Sequence, residues 1–514
     1  MESGIRGASQ IISPCFFERK FNVRMIVLSI ACLLFLWQSA SAADAPLKLS
    51  LHEAVKMSVE KNLDLRVEVY NPAIFEADIN RNRSIYDPLL LLNASFTESR
   101  TPYAPTIGYG QSVYLDGSLS QLFWTGATAT LAHNNTYIGN DSWSASRKNF
   151  WQSDLGVTLT QPLLRNVGRE NTEVNILVSR LSKFASIEHL NTRLINTVAL
   201  VRTEYFKLYS LREQLEVKKV SLELARKILS ETKARVAAGV LPAMEILNAE
   251  FGAVSREKDL IDAEKAVRDQ VDVLRLLLQI ESRDDIQTVD LPRRDVFDIS
   301  EEASIKLAQN RSDIKEQKRN LEINELQTRV FNNKVKPDLS LVAKAGAASQ
   351  EKTYSRDWEK LGSFNTPYWS VGLNFSYPLG NRAAENDYRK SRLKTEQTAL
   401  QIKSLEESAA KEVKAAIRAV TSGYKQIDVA DRGRAYGEER LKAFMRKNEV
   451  GLATTKDVLD VENDLVAAKN NQITAVVGYV NAITQLWLIT GELLEREDVR
   501  IVEGDADKLY SNTR

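Results

Sequence analysis

Cysteine is almost missing from this chain: its 514 residues hold two, Cys15 and Cys32. Both precede residue 43, so the remainder can form no disulfide and carries no thiolate. An excess of one charge is missing too. The 69 Lys and Arg are matched by 68 Asp and Glu, which argues against a nucleic-acid binder, since that class shows a basic surplus. His52, His133 and His189 are far apart and lack metal-ligand spacing. There is no phosphate loop, dinucleotide glycine fingerprint, HExxH or nucleophile elbow. An enzyme is therefore disfavoured, and no cofactor or metal is implied. After residue 40 no run reads as long and apolar enough for a membrane helix.

What is present begins with an export signal. Arg19, Lys20 and Arg24 precede the uncharged run Ile26 to Trp37, followed by Ala40-Ser41-Ala42. A positive flank, a short apolar core and an Ala-x-Ala site predict a secretory leader over 1–42, cleaved after Ala42. A dozen apolar residues is too short to span a bilayer. The 24 residues ahead of Met25 leave room for a start downstream of Met1. Cys32 lies inside the apolar core rather than at its end, which argues against a lipid-anchored N-terminus.

The rest is written twice. "EAVKMSVEKNLDL" (Glu53 to Leu65) is echoed by "EASIKLAQNRSDI" (Glu302 to Ile314), with Pro88 and Pro337 at the same offset. "LGVTLTQPLLRN" (Leu155 to Asn166) is echoed by "WSVGLNFSYPLGNR" (Trp369 to Arg382), and "GVLPAMEILNAE" (Gly239 to Glu250) by "GLATTKDVLDVE" (Gly451 to Glu462). Three landmarks in one order predict a duplicated unit: a first repeat over 43–290, a second over 291–490, and a polar tail over 491–514. The first repeat carries an insertion within about 98–150, rich in Gly, Ser, Thr, Asn and aromatics, which reads as a loop or an extra hairpin.

Each repeat is expected to open with one helix, Ser50 to Tyr86 and Glu301 to Lys334, ended by proline. Strands follow, among them Leu89 to Phe96 and Asp338 to Gly346. Beyond Pro162 and Pro378 the period lengthens to about 3.5 and breakers are few, predicting helices of roughly 65 to 70 residues and about 100 Å. Leu215, Leu222, Leu229 and Val236 form one heptad seam; Val217, Val220, Leu224 and Ile228 form a second. Two seams imply two neighbouring helices. Turns at Gly239 and Gly451 lead into shorter helices ending near Ile280 and Thr490. The polar segments after these read as a belt outside the helices.

The strand at 369–377 places Trp369, Val371, Leu373, Phe375 and Tyr377 on one side and small polar residues on the other. Leu155, Val157 and Leu159 do the same upstream. A half-buried sheet would show this; so would a barrel strand with lipid outside and water inside. Aromatic ends, an uncharged polar side and a spanning length of nine or ten residues favour the barrel. Four strands per chain cannot close one. Because unpaired backbone cannot face lipid, copies must join: two give eight strands, three give twelve.

With these residues in view, the chain resembles a TolC-type outer-membrane efflux protein of a Gram-negative bacterium. The resemblance rests on "LSLHEAVKMSVEKNLDLR", Tyr86-Asp87-Pro88, "LTQPLLRNVGRENTEVNI" and the paired tips, and spans nearly all of residues 48–492. It implies an α+β fold of mainly long α-helices: a TolC-like homotrimer with a 12-stranded transmembrane β-barrel and a 12-helix periplasmic tunnel. It also implies a passive exit duct for small molecules or polypeptides. Such ducts work with a periplasmic adaptor (membrane fusion) protein and an inner-membrane transporter of RND, ABC or MFS type.

In such proteins a D-V-L-D segment places acidic rings at the tunnel's closed end. Here Asp457-Val458-Leu459-Asp460 stands there, with Glu245 in the first-repeat tip. Asp457 and Asp460 share a helix face, and three chains would ring a narrow opening with carboxylates that favour cations. Asp457 is equally placed to close a capping box with Thr454. Relatives with a locked gate can carry an Arg two residues after the tip glycine; Ala453 stands at that position, so the ionic latch is not expected here and closure would rest on other contacts. The apolar turns Gly239-Val240-Leu241 and Gly451-Leu452-Ala453 read as adaptor-docking tips or as packing between neighbouring tips. The competing function is an exported, non-channel coiled-coil protein, for which lipid-ready strands have no use.

Overall fold

The period-two and period-3.5 segments become strands and long helices, in that order, in each half of the chain. The computed structural model describes residues 47–103, 106–140, 149–281, 285–297, 299–499 and 504–512. The expected leader, 1–42, and both cysteines lie outside the described residues. The chain divides into two units, one of Met1–Leu49 with Ser282–Gln287, the other of Ser50–Glu281 with Thr288–Arg514. In the first, β1 (Leu47–Leu49) pairs with β6 (Ile286–Thr288), and the Leu47 N–H donates to the Asp285 carbonyl at 2.7 Å.

The second unit starts with α1 (Leu51–Lys61) and α2 (Leu63–Arg83), where a single helix was expected. Asn62 divides them. Its ψ of 124° leaves the helical region, and its Oδ1 accepts from the N–H groups of Asp64 at 3.0 Å and Leu65 at 3.2 Å. A side chain that caps a new helix competes with continuing the old one. After α2 come β2 (Leu89–Tyr103), β3 (Thr106–Leu122), β4 (Thr128–Asn140) and β5 (Asn149–Pro162). Then α3 (Val174–Ala237) runs for 64 residues and α4 (Met244–Leu278) for 35.

The second half has α5 (Glu301–Ala308) and α6 (Ser312–Lys334), again broken where one helix was expected, and then β7 (Asp338–Glu351). A short helix, α7 (Tyr354–Gly362), precedes β8 (Pro367–Ser376). Next, α8 (Arg382–Glu449) runs for 68 residues and α9 (Thr455–Thr490) for 36. At 1.5 Å per residue, α3 and α8 are each about 100 Å long.

The sheet corrects the strand count. It has six strands, all antiparallel, in the order β2-β3-β4-β5-β7-β8. The insertion supplies β3 and β4, so three such sheets would hold eighteen strands, not twelve. Comparing the repeats counts only the strands both share. In β3 and β4 the alternation is also blurred, because small residues such as Gly117, Ser118 and Ala132 occupy both faces.

The helices pack through small and β-branched residues. Ala409, Val413, Ala416 and Val420 of α8 meet Val476, Tyr479, Leu486 and Ile489 of α9, joined by Ala308 and Ile314. Here too a correction is needed: by length and composition Thr455–Thr490 could cross a membrane. Its apolar side chains instead fill this core. Of the two heptad seams, Leu222 and Ile228 are buried, whereas Val220 is 50 % exposed. Beyond α9, Glu497 pairs with buried Arg202 of α3, whose guanidinium lies 5.0 Å from the Trp487 ring centroid. Arg496 stacks on the same ring at 4.8 Å. The polar tail is thus held to the helices by one cation, Arg496, on the indole of α9 and one carboxylate, Glu497, on Arg202 of α3.

Candidate functional site

Two regions collect the residues singled out by sequence. The first is the pair of helix turns. Both α3 and α8 end on a glycine in the left-handed region, Gly239 and Gly451, each with φ 78°. The Val240 N–H donates to Arg235 O at 2.9 Å and the Leu452 N–H to Lys447 O at 2.8 Å. These are the same six-to-one closures of a helix end, for which glycine bears no Cβ penalty. The side chains that follow point outward, Val240 69 % and Leu452 78 % exposed. Leu241 and Ala453 are half-buried, so only one apolar side chain per turn is fully presented.

At the start of α9, Thr454 and Asp457 form the capping box. The Asp457 carboxylate accepts from the Thr454 N–H at 2.8 Å and its hydroxyl at 2.7 Å. These bonds, the backbone one first, hold the Asp457 pKa below the usual aspartate value. Asp460, one turn on, is exposed, and among the described residues no hydrogen bond or ion pair engages it. Glu245 is drawn across to α9, where its Oε2 accepts from the Thr455 N–H at 3.3 Å. Of the three acidic residues, then, two serve helix starts and Asp460 keeps its carboxylate free.

The structure adds residues that sequence reasoning missed. Arg256 of α4 is buried and donates to Glu462 Oε2 of α9 through Nε at 2.9 Å and Nη2 at 2.6 Å. It also donates to the carbonyls of Leu459 at 2.9 Å and Gly252 at 3.1 Å. Ser221 of α3 donates to the other Glu462 oxygen. Gly252 lets α9 come close: a Cβ there would lie 2.6 Å from Leu459 Cδ1. Nearer the turn, Arg235 donates to Asn448 O at 2.9 Å, and Asn448 Nδ2 donates to Ala453 O at 2.9 Å. The signal was present in the sequence. Glu462 interrupts an apolar stripe of Val458, Leu459, Leu465 and Val466, and a carboxylate in such a stripe requires a buried partner. Its counterpart Glu250 instead forms an exposed pair with Lys233 at 2.8 Å.

The second region is one face of the sheet. Register fixes it, because Trp369 opposes Ala345, Ala345 opposes Val157, and Val157 opposes Leu131. Alternation then places Leu159, Val371, Leu373 and Phe375 on the same face. These side chains are exposed: Trp369 80 %, Phe375 67 %, Leu373 65 % and Val371 62 %. Val157 and Leu159 are exposed as well, while Leu155 is half-buried. Tyr377 lies one residue beyond the end of β8. On β2 the face continues through Leu90, Leu92 and Phe96. A sheet with a bare apolar face of this size requires another apolar phase. The outer strands β2 and β8 are both open edges. Among the described residues no group of three or more His, Cys, Asp or Glu could hold a metal ion.

The sequence pattern of the outer membrane efflux protein family matches residues 56–278 and 304–492, well over half the chain. No curated relative matches. Among solved structures, CusC, studied for conformational changes accompanying folding and transmembrane channel formation, is similar at TM-score 0.65 and 16 % identity, over 87 % of this chain and 92 % of its own. The Campylobacter jejuni CmeC outer membrane channel is similar at 0.63 and 16 %, over 90 % and 88 %. The Vibrio cholerae outer membrane protein VceC is similar at 0.64 and 15 %, over 86 % and 96 %. At such identities the likeness is one of fold.

Proposed function

Since this chain belongs to the outer membrane efflux protein family, we propose that three copies close one barrel and form the passive outer-membrane exit of a tripartite export system. The family's place is the Gram-negative outer membrane, with an extension into the periplasm. The observation that carries the reading is the six-stranded sheet with two open edges and one bare apolar face. β8 of one copy pairs antiparallel with β2 of the next, which satisfies every edge as lipid demands. The closed barrel then has eighteen strands, an even number within the known range. An internal duplication accounts for the shared element order of the two halves.

Exposed heptad-spaced residues on the helices support association of copies. Leu247, Phe251, Val254 and Ile261 of α4 are 60–78 % exposed, and Leu393 and Leu400 of α8 are 66 % and 69 % exposed. These stripes line the contacts between copies in a helical tunnel. At its closed end Asp457 and Asp460 form acidic rings, and Glu245, Arg235, Arg256 and Glu462 latch the first-half tip to the second. This latch stands in for the arginine missing at position 453. Val240 and Leu452 receive the periplasmic adaptor, and an inner-membrane transporter of RND, ABC or MFS type supplies energy and selects the cargo, small molecules or polypeptides.

The test is extraction from outer membranes in detergent, mass measurement and single-channel recording in planar bilayers. A trimer with discrete conductance steps is expected. A soluble, non-conducting monomer would overturn the reading and leave the coiled-coil alternative. For the tips, cysteines at Val240 and Leu452 should cross-link to the adaptor in an assembled pump, and no cross-link would remove them from the docking surface.

A further inference from the structure

α7 lies on the same face of the sheet as the bare apolar rows. Above the row of Trp369, Ala345, Val157 and Leu131 comes Ala347, Leu155 and His133, and above that Ser349, Ser153 and Asn135. The helix covers these upper rows. Asp357 is fully buried and accepts from Ser349 Oγ at 2.8 Å and from Ser153 Oγ, while Asn135 Nδ2 donates to Ser153 Oγ at 2.6 Å. Leu361 is buried one turn on. The Trp358 ring stands 4.7 Å from His133, and Tyr354 stands 4.9 Å from Trp151. A face that is apolar below thus turns polar above, and there a helix is pinned over it.

The outer side of α7 is amphipathic in the manner of a water–lipid boundary. Tyr354 is 44 % and Trp358 42 % exposed, with Phe364, just beyond, 57 % exposed. Lys352 and Arg356 are exposed beside them, as is Glu359, whereas Lys360 is paired with Glu351 at 3.0 Å. Tyr and Trp concentrate where hydrocarbon meets headgroups, and cations there reach phosphates. We propose that α7 is a collar resting on the phosphate-bearing headgroups of the outer leaflet, which fixes the height of the barrel in the bilayer. This rests on the barrel reading, because the rows beneath α7 must face lipid.

Residues after 42 contain no cysteine, so single labels can be placed cleanly. Full-length Glu359→Cys and Val371→Cys, each carrying a nitroxide, would be reconstituted into phosphatidylglycerol vesicles holding a headgroup-anchored nickel chelate. The Glu359 label is expected to relax several-fold more with the anchored chelate than the Val371 label, and the Val371 label to respond to dissolved oxygen. If the Val371 label responds to oxygen but the Glu359 label responds only to soluble chelate, the collar is wrong and the barrel stands. If the Val371 label is also reached only from water, the barrel reading fails with it. Arg356→Glu, which leaves the buried tie intact, should weaken the anchored-chelate effect at Glu359; an unchanged effect would remove phosphate from the proposal.

Discussion

Arg256 and Glu462 are 5 % and 3 % exposed, and a buried pair is most costly when half of it is removed. Arg256→Met should destabilise the helical part by about 3–5 kcal/mol, since the buried Glu462 carboxyl would be left without its main partner. The double variant Arg256→Met with Glu462→Leu should recover much of this, as read by denaturant midpoints; if it recovers none, the carbonyl contacts of Arg256 dominate. Asp460→Asn removes a carboxylate that serves no local bond. It should shift the reversal potential in a salt gradient toward zero with no loss of stability, and an unchanged potential would take Asp460 out of the gate. Asp457 differs, because its folded pKa is depressed below the ordinary 3.8 by the Thr454 bonds. Its cap therefore contributes above that value and is lost as pH falls through the lower folded one. Cap-dependent stability should be flat at neutral pH and be lost only in acid, and in Thr454→Ala that acid loss should be smaller and complete at higher pH, because the folded pKa moves back toward the ordinary value.

At the scale of elements, the two glycine turns make matched predictions. Gly239→Ala and Gly451→Ala place a Cβ in the left-handed region at φ 78°, each costing about 1 kcal/mol by thermal unfolding. The inserted hairpin makes a sharper one. Deleting Thr106–Asn140 removes β3 and β4 and leaves β2 and β5 with the same antiparallel sense. The shortened chain should still trimerise, with a barrel about two-thirds as wide, since diameter grows nearly linearly with strand number. End-on views by electron microscopy would decide; an unchanged diameter would mean that the hairpin lies outside the barrel wall.

For the whole molecule, the apolar face and the open edges have one physical consequence. A lone copy in lipid would leave the edge N–H and C=O groups of β2 and β8 unpaired, at several kcal/mol each. Partly assembled forms should therefore be scarce in membranes. Because N–H groups of successive strand residues point to opposite sides, one of Val371→Pro and Gly372→Pro removes an edge donor of β8, and that variant should block assembly while leaving the helical part able to fold, as read by native electrophoresis and circular dichroism. Trimers surviving both changes would mean that β8 pairs with no neighbour.

The helical half of the fold was legible in the sequence because its signals are local. A long breaker-free 3.5-period run has one outcome, and glycine flanked by matched helix ends marks a turn wherever it sits. The breaks at Asn62 and Arg311 were less visible: at Asn62 the capping bonds that favour the break compete closely with a continuous helix, and Arg311 makes no side-chain cap but pairs with Asp313 and the distant Glu412. The exposed apolar rows in β5 and β8 were readable from alternation alone, whereas β3 and β4 were not, because small residues leave both faces looking alike. Three things belong to tertiary structure only: the six-strand order, the meeting of Arg256 with Glu462 across 206 positions, and the placing of α7 over Ser153 and Ser349. Each depends on which distant segments share a face, and neither composition nor periodicity records that.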